Sequence, residues 1–197
     1  QGTAFDLSQP GPVTLERNVI HAASGAAVVF DTAGVELTAV SNWFVGSRST
    51  SVAIDTQDAT ALLSLERNAY SGQFAYGLRL GDGVEAQLVD ELFTDVDVAV
   101  EATAGVTLVA RLTVIDGGNI GLQIDESTEI GLFDLGTSAD FGQNTLIGHL
   151  HADLCLAASV TVQAAGNTWD HDPPEQSTQC SDGIDIGISA GGDVILE

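Results

Sequence analysis

The chain has no lysine and no methionine, and its five arginines face 28 acidic residues, a net charge of −23 over 197 residues. A surface of that sign repels a phosphate backbone and has no basic patch to release counterions, so nucleic-acid binding is excluded. Anionic membrane surfaces are disfavoured for the same reason. No apolar run approaches the roughly 20 residues a membrane-crossing helix needs, so membrane insertion is not expected. A basic-then-apolar leader and an initiator Met are also missing, as in a mature or excised piece of a longer product. Cysteine is nearly absent. Cys155 and Cys180 stand alone, outside any C-x-x-C pair, so a redox or zinc role has no local support. One disulfide closing the loop between them fits, and two free buried thiols are the alternative. A bridge favours an extracellular location.

What is present is apolar content enough for a core, 44% of the chain, in a length that suits one domain. A repeat organises it. "TLERNVI" at 14–20 returns as "SLERNAY" at 64–70, with "TAVSNWF" between, so that Asn18, Asn42 and Asn68 occupy one phase. A second series ends in acids: "AAVVFD" at Asp31, "SVAID" at Asp55, "YGLRLGD" at Asp82, "VDVAVE" at Glu101 and "IGLQID" at Asp125. The steps are 24, 27, 19 and 24 residues. Each unit holds short, alternating, β-branched-rich segments separated by Gly, Asp, Thr and Asn, and no segment shows a helical stripe with start and stop signals. Alternation turns every other side chain inward, so pairs such as Val28 and Phe30, or Leu122 and Ile124, are expected to stack coil upon coil. Short parallel strands repeating every two dozen residues predict an all-β solenoid of about six to seven coils.

The pattern over residues 11–170 resembles the right-handed parallel β-helix of the pectin-lyase-like superfamily. In that family, asparagines stack at one turn of successive coils and hydrogen-bond up the ladder, a role the resemblance gives to Asn18, Asn42 and Asn68. Glu91 lies near the next expected position and no Asn follows at the one after, so the ladder is partial. The "GNTW" phrase at 166–169 is similar to the close of the last coil in secreted β-helix repeat proteins. Residues 1–10 then form a lead, 11–170 the solenoid, and 171–197 a cap stapled by Cys155 and Cys180.

The acids Asp31, Asp55, Asp82, Glu101 and Asp125, stacked about 4.8 Å apart, suggest a cation-binding or sugar-facing column. Asp residues that only start turns are the alternative. "HLHADLCL" offers His149, His151 and Asp153, two imidazoles and a carboxylate of the kind that holds a transition metal. A turn near Leu150 would part them. "WDHDPPE" and "CSDGID" are acidic loops that could take calcium, the one cofactor suggested, though neither has a D-x-D-x-D-G spacing. Polysaccharide lyases on this fold use Arg or Lys as base, and without Lys the base would be an Arg. Arg17 and Arg67 repeat at equivalent corners, whereas Arg48, Arg79 and Arg111 are isolated in sequence, and Arg79 or Arg111 is the candidate. No N-T-D or G-H-G phrase of the fold's hydrolases occurs. The expectation is therefore a non-catalytic extracellular module, a rigid structural or carbohydrate-facing surface whose partner is a polysaccharide or another cell-surface protein. The alternative is a polysaccharide lyase or glycoside hydrolase acting through stacked carboxylates with an Arg.

Overall fold

The computed structural model describes residues 4–30, 32–57, 60–181 and 183–197, which form strands and turns with no α-helix. One eight-stranded sheet stacks Gly11–Glu16, Val35–Val40, Ala61–Glu66, Glu85–Val89, Thr107–Arg111, Leu132–Asp134, Thr161–Gln163 and Asp193–Ile195 in chain order. The second sheet, of 13 strands, runs through Phe5–Leu7, Gly25–Phe30, Trp43–Asp55, Ala69–Leu80, Val98–Thr103, Ile120–Asp125, Ala152–Leu156 and Ile184–Ile188 to Gln176–Ser177. Its branch continues the long strands Trp43–Asp55 and Ala69–Leu80 around a corner, with Val19–Ala22, Leu92–Thr94, Val114–Asp116 and Thr145–Ile147. Every pairing among the described residues is parallel, and all but that of Gln176–Ser177 with Ile184–Ile188 join one coil to the next. This is a parallel β-solenoid.

The alternation read from sequence is the reason for the core. Val28, Ile54, Leu78, Val100, Leu122, Leu154 and Ile186 align on successive rungs and all are buried. Each such side chain withdrawn from water contributes about 2 kcal/mol. Phe44, Tyr70 and Phe93 stack at another inward position, with centroids 5.0 and 4.3 Å apart. Val98, two residues before Val100 and so expected inward by the same alternation, departs from the row. It is half-buried, and Ala102 joins Val100 in the core instead.

The asparagine corner extends further than the sequence phrase. Register places Glu91, Thr113, Asn144 and Asn167 above Asn68 in the same column. Asn42 Oδ1 accepts from the Asn18 backbone N–H and side-chain amide at 3.0 and 3.1 Å, and Asn68 Oδ1 does the same for Asn42. The residue before each rung bends the chain. Arg17, Ser41, Arg67, Asp90, Leu112 and Gln143 all have φ between 53° and 58°, a left-handed conformation that is uncommon for non-glycine residues. The rung's side-chain oxygen, binding the neighbouring backbone N–H, holds that bend in place.

The number of regular coils is slightly smaller than the sequence spacing suggests. Five, from Gly11–Glu16 to Ile120–Asp125, have short corners. The next two passes carry longer excursions, between Asp134 and Thr145 and between Gln163 and Ile184. Within the expected cap, Ile184–Ile188 and Asp193–Ile195 add further rungs to both sheets. The Cys155–Cys180 disulfide ties the excursion to the sheet, with Cα atoms 5.4 Å apart.

Candidate functional site

Two groups of charged side chains gather on the 13-stranded sheet. The first is a row across its middle. Asp55 pairs in register with Arg79, Arg79 with Glu101, and Glu101 with Gln123. Arg79 therefore stands between two acids, with Nη2 3.4 Å from Asp55 Oδ2 and Nε 3.8 Å from Glu101 Oε2. It also donates to Gln57 Oε1 at 2.5 Å and lies over the Tyr76 ring, 5.5 Å from its centroid. Burial holds the Glu101 carboxyl above the usual carboxylate range, Asp125 adds to the rise, and Arg79 opposes it.

The other members of the acid series fall elsewhere. Asp125 pairs with Thr103, two residues beyond the row, and accepts from Gln123 Nε2 at 2.9 Å. Asp82 accepts from Thr103 Oγ1 and from Ser127 Oγ, and these hydroxyls hold its carboxyl below the usual range. The unequal steps of 27 and 19 residues explain the parting. They add up to two coils, so Asp55 and Glu101 share a row while Asp82 lies beyond it. Asp31 lies outside the described residues.

The other arginines whose side chains are described are also engaged. Arg111 binds both oxygens of Asp134, at 3.0 and 2.9 Å, and Asp140 Oδ2 at 2.9 Å. Exposed Arg17 and Arg67 pair with the preceding Glu16 and Glu66.

The second group lies where the long excursion covers the sheet's last strands. Every residue of Ala152–Leu156 is buried. Ala152, Leu154 and Leu156 face the core, while Asp153 and Cys155 point outward beneath the excursion. Gly187 lets the excursion approach, for a Cβ there would meet Cys180 Cα at 2.7 Å. Gly121 makes room in the same way for the His149 ring, whose Nε2 would lie 3.1 Å from a Cβ.

His149 Nδ1 contacts Asp153 Oδ1 at 2.5 Å, and both side chains are buried. Burial raises the Asp153 carboxyl to about 6, with His149 opposing. The strand pairs Ala152 with Ile184 and Leu154 with Ile186, which sets Asp153 beside Asp185 on adjacent rungs. Asp170 arrives from the corner after Thr161–Gln163 and accepts from Gly148 N–H at 2.9 Å. His151, on the corner before the strand, has an exposed side chain. Of the three metal candidates in "HLHADLCL", the fold brings His149 and Asp153 together. Asp170 and Asp185, from the two acidic loops of the sequence, join them.

An open groove of about 630 Å³ crosses the neighbouring corner, lined by Gln73, Asp95, Asp97, Asn119 and Leu150 among others. It is shallow, mixes apolar with amide and carboxylate side chains, and has no arginine in its lining among the described residues.

The family model described as "Protein of unknown function (DUF1565)" matches residues 13–176, most of the chain. No curated protein and no solved structure matches it. The chain thus belongs to the DUF1565 family and is a parallel β-helix repeat protein.

Proposed function

We propose that this DUF1565 β-helix is a non-catalytic extracellular module, a rigid spacer whose acidic, polar flank faces carbohydrate. The observation that carries this reading is the placement of Arg79 between Asp55 and Glu101. In that family of folds a lyase needs a free basic group beside its substrate, and a glycosidase needs open space between its two carboxylates. Here the guanidinium fills that space, and its charge is already balanced. Arg111 is likewise held by Asp134 and Asp140. The shallow groove with its amide and carboxylate side chains supports contact with sugar hydroxyls rather than enclosure of a reacting bond. The disulfide supports the extracellular placement.

A second reading draws on the same row. Asp55 and Glu101 lie on alternate rungs with Arg79 and Tyr76 adjacent, and Glu101 holds its proton above the usual range. A polysaccharide lyase or hydrolase could be built from such parts.

Size-exclusion chromatography after incubation with neutral and uronate polysaccharides separates the two readings. The spacer reading expects every polymer to keep its length, with the protein co-eluting with those it recognises. A shortened polymer would sink it, and loss of shortening in Arg79→Ala would assign the reaction to this row.

A further inference from the structure

Asp153, Asp170 and Asp185 come from three separate segments, yet each offers a carboxylate oxygen within 4.8 Å of the other two. Each also has an oxygen engaged by the protein. Asp153 Oδ1 is held by His149 Nδ1, Asp170 Oδ2 by Gly148 N–H, and Asp185 Oδ2 by His171 Nδ1 at 3.1 Å and by Glu175 N–H at 2.6 Å. Of the three oxygens left over, that of Asp170 belongs to an exposed residue and the other two are buried. Asp153 Oδ2 and Asp185 Oδ1 have no hydrogen-bond partner, although their side chains are only 2% and 1% exposed. Buried carboxylates are paired, hydrogen-bonded or bound to metal, and no described guanidinium reaches this trio. The four arginines whose side chains are described pair with other acids.

Three carboxylates thus meet with no described arginine to balance them. The two histidines grip the outer oxygens through Nδ1, as partners that fix the direction of ligating groups do. Oxygen donors favour hard cations. Calcium accepts irregular geometry at about 2.3–2.6 Å, so oxygens lying within 4.8 Å of one another fit around it, whereas magnesium demands a near-ideal octahedron. Asp170 is exposed and gives the ion and its remaining waters a way in.

We propose that Asp153, Asp170 and Asp185 bind one calcium ion, which ties the excursion over residues 170–181 to the last coils of the solenoid. This site is independent of the carbohydrate reading, because it lies on other residues and its readout is stability.

The test is a thermal melt and isothermal titration of the full chain stripped with EDTA, in about 0.15 M NaCl to screen the surface acids. Calcium at about 100 times its Kd is expected to raise Tm by about 5–10 °C, with one ion bound per chain. Asp170→Asn keeps an oxygen for Gly148 N–H and removes the charge, so it should fold like the parent and lose at least tenfold in affinity. Glu85→Gln, the same charge change at an exposed position of another strand, should keep the full shift. The proposal is overturned if calcium moves neither variant nor parent, if Asp170→Asn responds as the parent does, or if only zinc gives a shift.

Discussion

Glu91 occupies a rung of the asparagine column but carries a carboxyl group there, 1% exposed. Its oxygens accept from Asn68 N–H at 3.0 Å, from the Asn68 amide at 3.0 and 3.2 Å, and from Tyr70 O–H at 2.8 Å. Burial dominates these contacts and pushes the carboxyl up from 4.5 to about 7. The folded state therefore binds the proton more tightly than the unfolded chain. The resulting stability is complete below about 4.5, the unfolded value, and is lost as pH rises through about 7. A gap of that size corresponds to about 3 kcal/mol, or about 6–12 °C in Tm for a chain of this length. Glu91→Gln keeps the acceptor and the shape and removes the titration. Parent and variant should melt together near pH 4.5, and the variant should be the more stable by that margin at pH 8.5. Taking the difference between the two cancels the other acids, Asp153 included, as long as they do not couple to this rung. Melts of parent and variant that run parallel from pH 4.5 to 8.5 would refute the reasoning.

Asn42→Ala should cost about 3 kcal/mol in urea unfolding, because it strands the Asn18 N–H and takes the side-chain amide donor from Asn68 Oδ1 and the Leu15 carbonyl inside a closed corner. A loss below about 1 kcal/mol would mean that the column follows the backbone rather than holding it. Reduction of Cys155–Cys180 opens a loop of 25 residues and should remove about 3 kcal/mol. A Tm unchanged by reductant, with two thiols then titratable, would show that the excursion holds to the sheet without the bridge.

The solenoid was legible in the sequence because its information is local and repeated. Alternation and turn residues recur every two dozen positions, and each recurrence reports the same inward face. The corner at Asn18, Asn42 and Asn68 was legible for the same reason, since a side chain that bonds the next coil's backbone must be short, polar and in phase. Its continuation through Glu91 and Thr113 to Asn144 and Asn167 was only half visible. Those residues differ in type, and the step from Thr113 to Asn144 contains an excursion that breaks the period. The two cysteines announced their bridge by being the only pair.

Charge placement required the tertiary structure. Counting along the chain aligned Asp82 and Asp125 with Asp55 and Glu101. A side chain's row, however, is set by coil length, and coils here differ by a few residues, enough to move an acid to the next corner. The same limit hid the carboxylate trio. Asp153, Asp170 and Asp185 have no spacing that a local motif could encode, because one lies on a strand, one beyond a corner, and one on the returning strand. What set them together is parallel stacking, which places residues 32 apart on adjacent rungs, and an excursion that covers the outer face and shuts water away from two of them.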